Sequence, residues 1–83
     1  MNKIAGYRKM CGLRQKDVAE YLGISLQSYN AKENKKRKFN EYEIELFMKL
    51  INQFIPDLKA TDIFFEQWLK EVEREVRSNE HSF

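Results

Sequence analysis

Apolar residues recur every three or four positions along most of the chain, which is the spacing of helices that bury one face. Three glycines and a single proline interrupt this pattern, and the β-branched residues do not alternate over runs long enough for strands. The pattern therefore predicts an all-α chain, with helices over residues 3–11, 15–22, 26–33, 41–54 and 62–77. The tail from Ser78 to Phe83 is expected to fray.

The predicted helix starts carry capping signals. Asn2, Ser25, Asn40 and Thr61 each have a side-chain oxygen that can accept a backbone N–H in the first turn. Glu43 stands three residues after Asn40, which is the spacing of a reciprocal capping box. In the fourth helix the apolar positions expected to face the core are Phe47, Leu50, Ile51 and Phe54.

The second and third predicted helices are joined by only Gly23, Ile24 and Ser25. Two short helices with a tight turn that begins with glycine form the helix-turn-helix pattern. The residues read GLRQKDVAEYLGISLQSY from Gly12 to Tyr29 and KENKKRKF from Lys32 to Phe39. With these residues the chain resembles the λ-repressor-like family of helix-turn-helix transcription regulators (Cro/C1 or XRE type), particularly the short regulators of phages.

The resemblance extends over about residues 3–65 and implies a five-helix λ-repressor-like fold. A DNA-binding domain is therefore expected at residues 1–65, followed at residues 66–83 by a helical extension and a frayed tail. By the same resemblance, Arg8 and Glu33 should form a structural ion pair that ties the first helix to the end of the third.

The third helix is the expected base-reading element, since the resemblance implies that it enters the major groove. With Tyr29 directed inward, its outer residues are Leu26, Gln27, Ser28, Asn30 and Ala31. Gln and Asn amides can pair with adenine N6 and N7, and Leu or Ala can contact a thymine methyl group. The alternative is that this is only a solvated helix face.

Residues on both sides of the reading helix are candidates for phosphate contacts, namely Arg14, Gln15, Asn34, Lys35, Lys36, Arg37 and Lys38. The resemblance assigns this role to Gln15, whose helix N-terminus also favours an anion. Two positions depart from the family. Arg14 replaces a Thr or Ser and so removes a capping oxygen, and Lys35 replaces a Gly that would tolerate a left-handed backbone.

A stripe of apolar residues at 4-3-4 spacing continues through the last helix beyond the family domain. The stripe and its flanking tryptophan are Phe65, Trp68, Leu69, Val72 and Val76. Such a face requires a partner surface. One interpretation is homodimerisation, because helix-turn-helix repressors bind two half-sites; the other is that the helix folds back onto its own core.

Charge is divided unevenly between the two halves of the chain. Residues 1–40 contain ten Lys or Arg against three Asp or Glu, whereas residues 41–83 contain five against ten, for a net charge of +2. The halves therefore carry +7 and −5. This division indicates a basic N-terminal face that meets a polyanion such as double-stranded DNA.

The leading interpretation is a sequence-specific DNA-binding regulator, such as a phage or prophage repressor or a Cro-like switch protein that occupies operator DNA. The alternative is a protein-interaction module, such as an antitoxin or an anti-repressor target, with secondary DNA binding. An enzyme is not expected, because the carboxylates are spread along solvated helices without a convergent site.

Composition bears on disulfides, metal sites, membrane spans and secretion. One cysteine, Cys11, and one histidine, His81, supply neither a disulfide nor a metal ligand set, and no cofactor is expected. No segment has the length of a membrane span or the features of a secretion signal, so a cytoplasmic protein is expected.

Overall fold

A computed structural model describes the backbone of residues 2–80 and the side chains of residues 2–76. The described part of the chain is all-α, with no strand, and its five helices are α1 (Lys3–Met10), α2 (Gln15–Leu22), α3 (Leu26–Glu33), α4 (Glu41–Ile51) and α5 (Ala60–Glu80). The predicted fold class and helix order are confirmed. None of the described helices is long and apolar enough to cross a membrane.

Three of the predicted caps are formed. The side-chain oxygens of Asn2, Ser25 and Asn40 each accept the backbone N–H three residues further on, at 3.1, 3.0 and 2.8 Å. The carboxylate of Glu43 in turn accepts the backbone N–H of Asn40, at 2.9 Å, which completes the capping box. These side-chain bonds set where α1, α3 and α4 begin.

The end of α4 and the start of α5 differ from the prediction. The helix ends at Ile51, and Phe54, expected to face the core, is 53% exposed. The reason is Asn52, whose side-chain amide donates to the carbonyls of Ile55 and Leu58 at 3.0 and 2.9 Å and so stabilises a turn in place of another helical turn.

Helix α5 begins before Thr61, so the predicted cap at that residue is wrong. The carboxylate of Asp62 accepts the N–H of Lys59 at 2.9 Å, which closes the first turn around Ala60. At its other end the helix runs to Glu80, three residues past the predicted end at 77. Fraying of the tail from residue 78 stays a prediction, and residues 81–83 lie outside those described.

Four buried aromatic residues, Tyr29, Phe39, Phe47 and Phe64, form the centre of the core. Phe64 of α5 lies with its ring centroid 5.4 Å from that of Phe39 and 5.6 Å from that of Phe47, in edge-to-face geometry. The side chain of Gln67 adds two hydrogen bonds to the backbone of Phe39, at 2.9 and 3.0 Å. The first turns of α5 are thus fixed to the core through Phe39 and Phe47.

The predicted domain boundary between residues 65 and 66 lies inside the continuous helix α5. Ile63 and Phe64 are buried, and Trp68 packs on Phe64 with ring centroids 6.4 Å apart. Beyond these residues α5 extends away from the core. The change at this point is therefore one of exposure and not a break in the secondary structure.

Candidate nucleic-acid interface

The turn between α2 and α3 has the geometry that its sequence predicts. Gly23 has a φ of 72°, a left-handed conformation that costs glycine little. The N–H of Ile24 donates to Ala19 at 3.0 Å and that of Gly23 to Glu20 at 3.1 Å, the two bonds of a Schellman motif. Since Ala19 is also buried where the helices meet, the turn fixes the angle at which α3 leaves α2.

The predicted base-reading residues lie together on the outer side of α3. Leu26, Gln27 and Asn30 are exposed, Ser28 and Ala31 are half-buried, and Tyr29 is fully buried on the opposite side. Among the described residues, the side chain of Gln27 makes no hydrogen bond to another residue. Its amide is therefore available to an external partner.

A buried carboxylate at the end of α3 connects three helices. Glu33 accepts hydrogen bonds from Arg8 Nε at 2.8 Å, from Arg8 Nη2 at 3.0 Å, from Gln15 Nε2 at 3.0 Å and from the hydroxyl of Tyr29. The remaining terminal nitrogen of Arg8 donates to the carbonyl of Leu13 at 2.9 Å. The predicted pair of Arg8 and Glu33 is thus the centre of a larger network that joins α1, α2 and α3.

This network determines the ionisation of its members. Burial alone would raise the pKa of Glu33, but hydrogen bonds from Arg8, Tyr29 and Gln15 outweigh it and hold that pKa below its ordinary value. The hydrogen bond to Glu33 raises the pKa of Arg8. The pKa of Tyr29 is raised, mainly by burial and to a smaller extent by its hydrogen bond to Glu33. Near neutral pH the carboxylate and the guanidinium are therefore both charged.

The network continues to the surface through three side-chain amides. Gln15 Oε1 accepts from Asn30 Nδ2 at 3.2 Å, and Asn30 Oδ1 accepts from Asn34 Nδ2 at 3.1 Å. Asn30, predicted to read bases, therefore has both ends of its amide engaged within the protein. An amide has two N–H donors and two lone pairs, so one further contact at each end is still possible.

The basic loop, residues 35–38, follows α3. Lys35 has a φ of 64°, so a residue with a Cβ adopts the left-handed conformation that was expected to favour glycine at this position. Its ammonium pairs with Glu66 of α5, and that of Lys38 lies 3.6 Å from Glu71. Lys36 and Arg37 are exposed. Two of the predicted phosphate-binding cations are thus directed toward α5.

Arg14 is exposed at the start of α2 and pairs with Asp17, with Nη2 2.9 Å from Oδ1. The hydrogen bond from Arg14 lowers the pKa of Asp17 to about 2. As its sequence predicts, Arg14 provides no side-chain cap, but Asp17 accepts its backbone N–H at 2.8 Å. Half of a capping box therefore remains at this helix start.

Sequence reasoning missed a second buried ion pair. The ammonium of Lys32 contacts the carboxylate of Glu43, and both side chains are less than a tenth exposed. Lys32 comes one turn after the buried Tyr29, so its inward position follows from helical spacing. Its partner depends on how α4 packs against α3, which the pattern does not specify.

No arrangement for catalysis is evident among the described side chains. Cys11 is half-buried, and burial raises the pKa of its thiol, which disfavours the reactive thiolate. Within residues 2–76 no group of His, Cys, Asp and Glu could hold a metal ion. His81 lies outside the described residues.

A protein-family model described as helix-turn-helix matches residues 4–52, which is more than half of the chain and spans α1 to α4. No curated protein and no solved structure matches the chain. The matched segment contains the Arg8–Glu33 network, the Gly23 turn and the exposed face of α3. All of α5 lies beyond it.

Proposed function

The chain belongs to the Cro/C1-type helix-turn-helix family, whose members bind double-stranded DNA, and on this premise we propose that it is a sequence-specific transcription regulator of phage or prophage type. It would act by occupying operator DNA and excluding polymerase, as a repressor or a Cro-like switch protein. One observation carries the proposal: a rigidly supported helix presents an exposed polar face beside a basic loop. A regulator of this kind is not an enzyme.

Gln27 is the principal base-reading residue in this proposal. It is exposed on the outer face of α3, and the buried Tyr29 and Glu33 hold that helix from behind. A Gln amide can donate to N7 and accept from N6 of one adenine. Leu26 and Ala31 add contacts with thymine methyl groups, and Ser28 and Asn30 add single hydrogen bonds.

Phosphate contacts place α3 in the groove. Gln15 and Asn34 lie at either end of the amide chain through Asn30, so the two flank the reading face at a fixed spacing. Lys36 and Arg37 supply exposed positive charge, with Arg14, Lys35 and Lys38 at the edges. Each phosphate that they neutralise releases counterions and makes binding more sensitive to salt.

A second function, protein binding through α5, is favoured by one observation. Phe65, Leu69, Val72 and Val76 are each more than two fifths exposed. The packed-back interpretation of the sequence would have required these side chains to be covered by the core of the same chain. The homodimer, which two operator half-sites would need, stays a prediction from the sequence.

Selection from a random duplex library tests the proposed function. The purified protein would be incubated with the library at near-physiological salt, and bound duplexes would be sequenced. We expect a motif of several base pairs to be enriched, with two copies about 10 base pairs apart if two molecules bind together. Loss of enrichment in Gln27→Ala, with the fold retained, would assign the motif to α3. No enrichment by the unaltered protein would contradict the proposal.

A further inference from the structure

The outer side of α5 carries an apolar ridge, formed by Phe65, Leu69, Val72 and Val76. These side chains are 57, 43, 54 and 49% exposed. At about 100° per residue they fall within a narrow sector of the helix, roughly opposite the buried Ile63 and Phe64. Four large apolar side chains in one exposed row indicate a surface that another molecule covers.

Both flanks of the ridge are acidic. Counting around the helix, the charged residues nearest the ridge are Asp62, Glu66 and Glu73 on one side and Glu75 on the other. The described cations of α5 are Lys70 and Arg74, which fall on the side turned away from the ridge. Within residues 60–76 no Lys or Arg borders the apolar row, but Lys35 of the basic loop pairs with Glu66. The flanking carboxylates without an ion pair to another described residue are therefore Asp62, Glu73 and Glu75.

This charge pattern disfavours a second copy of the same helix as the occupant. When two copies of a helix pair in parallel, one flank of the first copy faces the other flank of the second copy. When they pair antiparallel, each flank faces the same flank of the other copy. Because both flanks are acidic here, either arrangement places carboxylates of one copy against carboxylates of the other. Like charges at these positions are destabilising, and specific pairs of helices use opposite charges there.

We propose that the ridge of α5 binds an amphipathic helix of another protein, whose apolar row is flanked by Lys or Arg. Such a helix would cover the four apolar side chains and pair its cations with the flanking carboxylates. Glu73 and Glu75 are exposed and make no ion pair with other described residues, so they are the first partners for those cations. This binding does not depend on DNA recognition by α3.

The protein can be titrated with two designed peptides that contain no tryptophan. Both would be 18-residue helices with leucine at the apolar positions, one with lysine at all remaining positions and one with glutamate. Trp68 is the single tryptophan of the chain and flanks the ridge, so its fluorescence reports binding. We expect the lysine peptide to bind at least about tenfold more tightly, and added salt to reduce the difference.

Matched variants locate the binding surface. Glu73→Gln with Glu75→Gln should weaken the lysine peptide by about fivefold, because two flanking charges are lost. The control, Glu20→Gln with Glu45→Gln, removes two exposed carboxylates from α2 and α4 and should leave affinity unchanged. Leu69→Ser with Val72→Ser should weaken binding by about tenfold or more through lost apolar contact. Circular dichroism would show that each variant remains helical.

Three results would overturn the proposal. Equal affinity for the two peptides would show that the acidic flanks do not select the partner. If Glu20→Gln with Glu45→Gln weakens the lysine peptide as much as Glu73→Gln with Glu75→Gln does, the peptide is attracted by the net charge of the protein alone. If sedimentation detects a dimer that Leu69→Ser with Val72→Ser abolishes, a second copy of the chain is the occupant of the ridge. The affinity of the same protein preparations for the selected DNA duplex would also be measured. Because peptide binding and DNA binding are then measured separately, failure of one proposal can be distinguished from failure of the other.

Discussion

The guanidinium of Arg8 forms two hydrogen bonds with the carboxylate of Glu33, at 2.8 and 3.0 Å, and joins the first helix to the last residue of the third. The two side chains are only 9 and 4% exposed. The same carboxylate holds Gln15 of α2, so one buried charge positions every helix that contributes to the proposed DNA-binding face.

Removal of Arg8 should therefore be costly. In Arg8→Ala the charge of Glu33 stays buried with only neutral donors, so the free energy of unfolding should fall by about 3 kcal/mol. Arg8→Ala combined with Glu33→Gln should lose less than the sum of the two single changes, because no charge is then left without its partner. Urea denaturation of the three variants measures this. Additive losses would show that the pair is not coupled.

The contribution of Glu33 to stability should depend on pH. Its pKa is lower in the folded protein than its ordinary value of 4.5, so the stabilisation is complete above that value. It is lost as the pH falls through the lower, folded-state pKa, because protonation removes the charge that Arg8 binds. The difference in unfolding free energy between the unaltered protein and Glu33→Gln should therefore shrink below pH 4.5. The control is Glu45→Gln at an exposed position, for which the difference in unfolding free energy should change less with pH. Equal pH dependence for Glu33→Gln and Glu45→Gln would contradict this account.

Lys35 occupies a left-handed backbone position that glycine adopts without steric cost. Lys35→Gly should raise the free energy of unfolding by about 0.5 to 1 kcal/mol, since relief of the backbone exceeds the loss of an exposed ion pair with Glu66. Lys36→Gly is the matched control, because Lys36 has no positive φ. That variant should be neutral or less stable. Thermal denaturation compares the two, and stabilisation by both would indicate a different cause.

Much of the fold followed from local signals in the sequence. The starts of α1, α3 and α4 were predictable because Asn2, Ser25 and Asn40 cap the next turn with their own side chains. The end of α4 was not, because apolar spacing continues to Phe54 while the amide of Asn52 binds carbonyls further along the chain. Helix boundaries set by such longer bonds are not visible in periodicity.

The candidate site was predictable to a similar extent. Helical spacing placed Gln27 and Asn30 on the outer face of α3, where the structure has them. It could not show that Asn30 is bonded to Gln15 and Asn34, because those contacts depend on how α2 lies against α3. For the same reason the buried pair of Lys32 and Glu43 was not predicted.

The central claim is that α3 reads bases while the basic loop binds the backbone, and two variants test it directly. Affinities of Gln27→Ala and Lys36→Ala would be measured for the selected duplex and for a random duplex over a range of salt concentrations. We predict that Gln27→Ala loses about 1 to 3 kcal/mol on the selected duplex only, whereas Lys36→Ala weakens both duplexes alike and lowers the salt slope by about one. Equal losses on both duplexes for Gln27→Ala would contradict the claim that α3 reads the sequence.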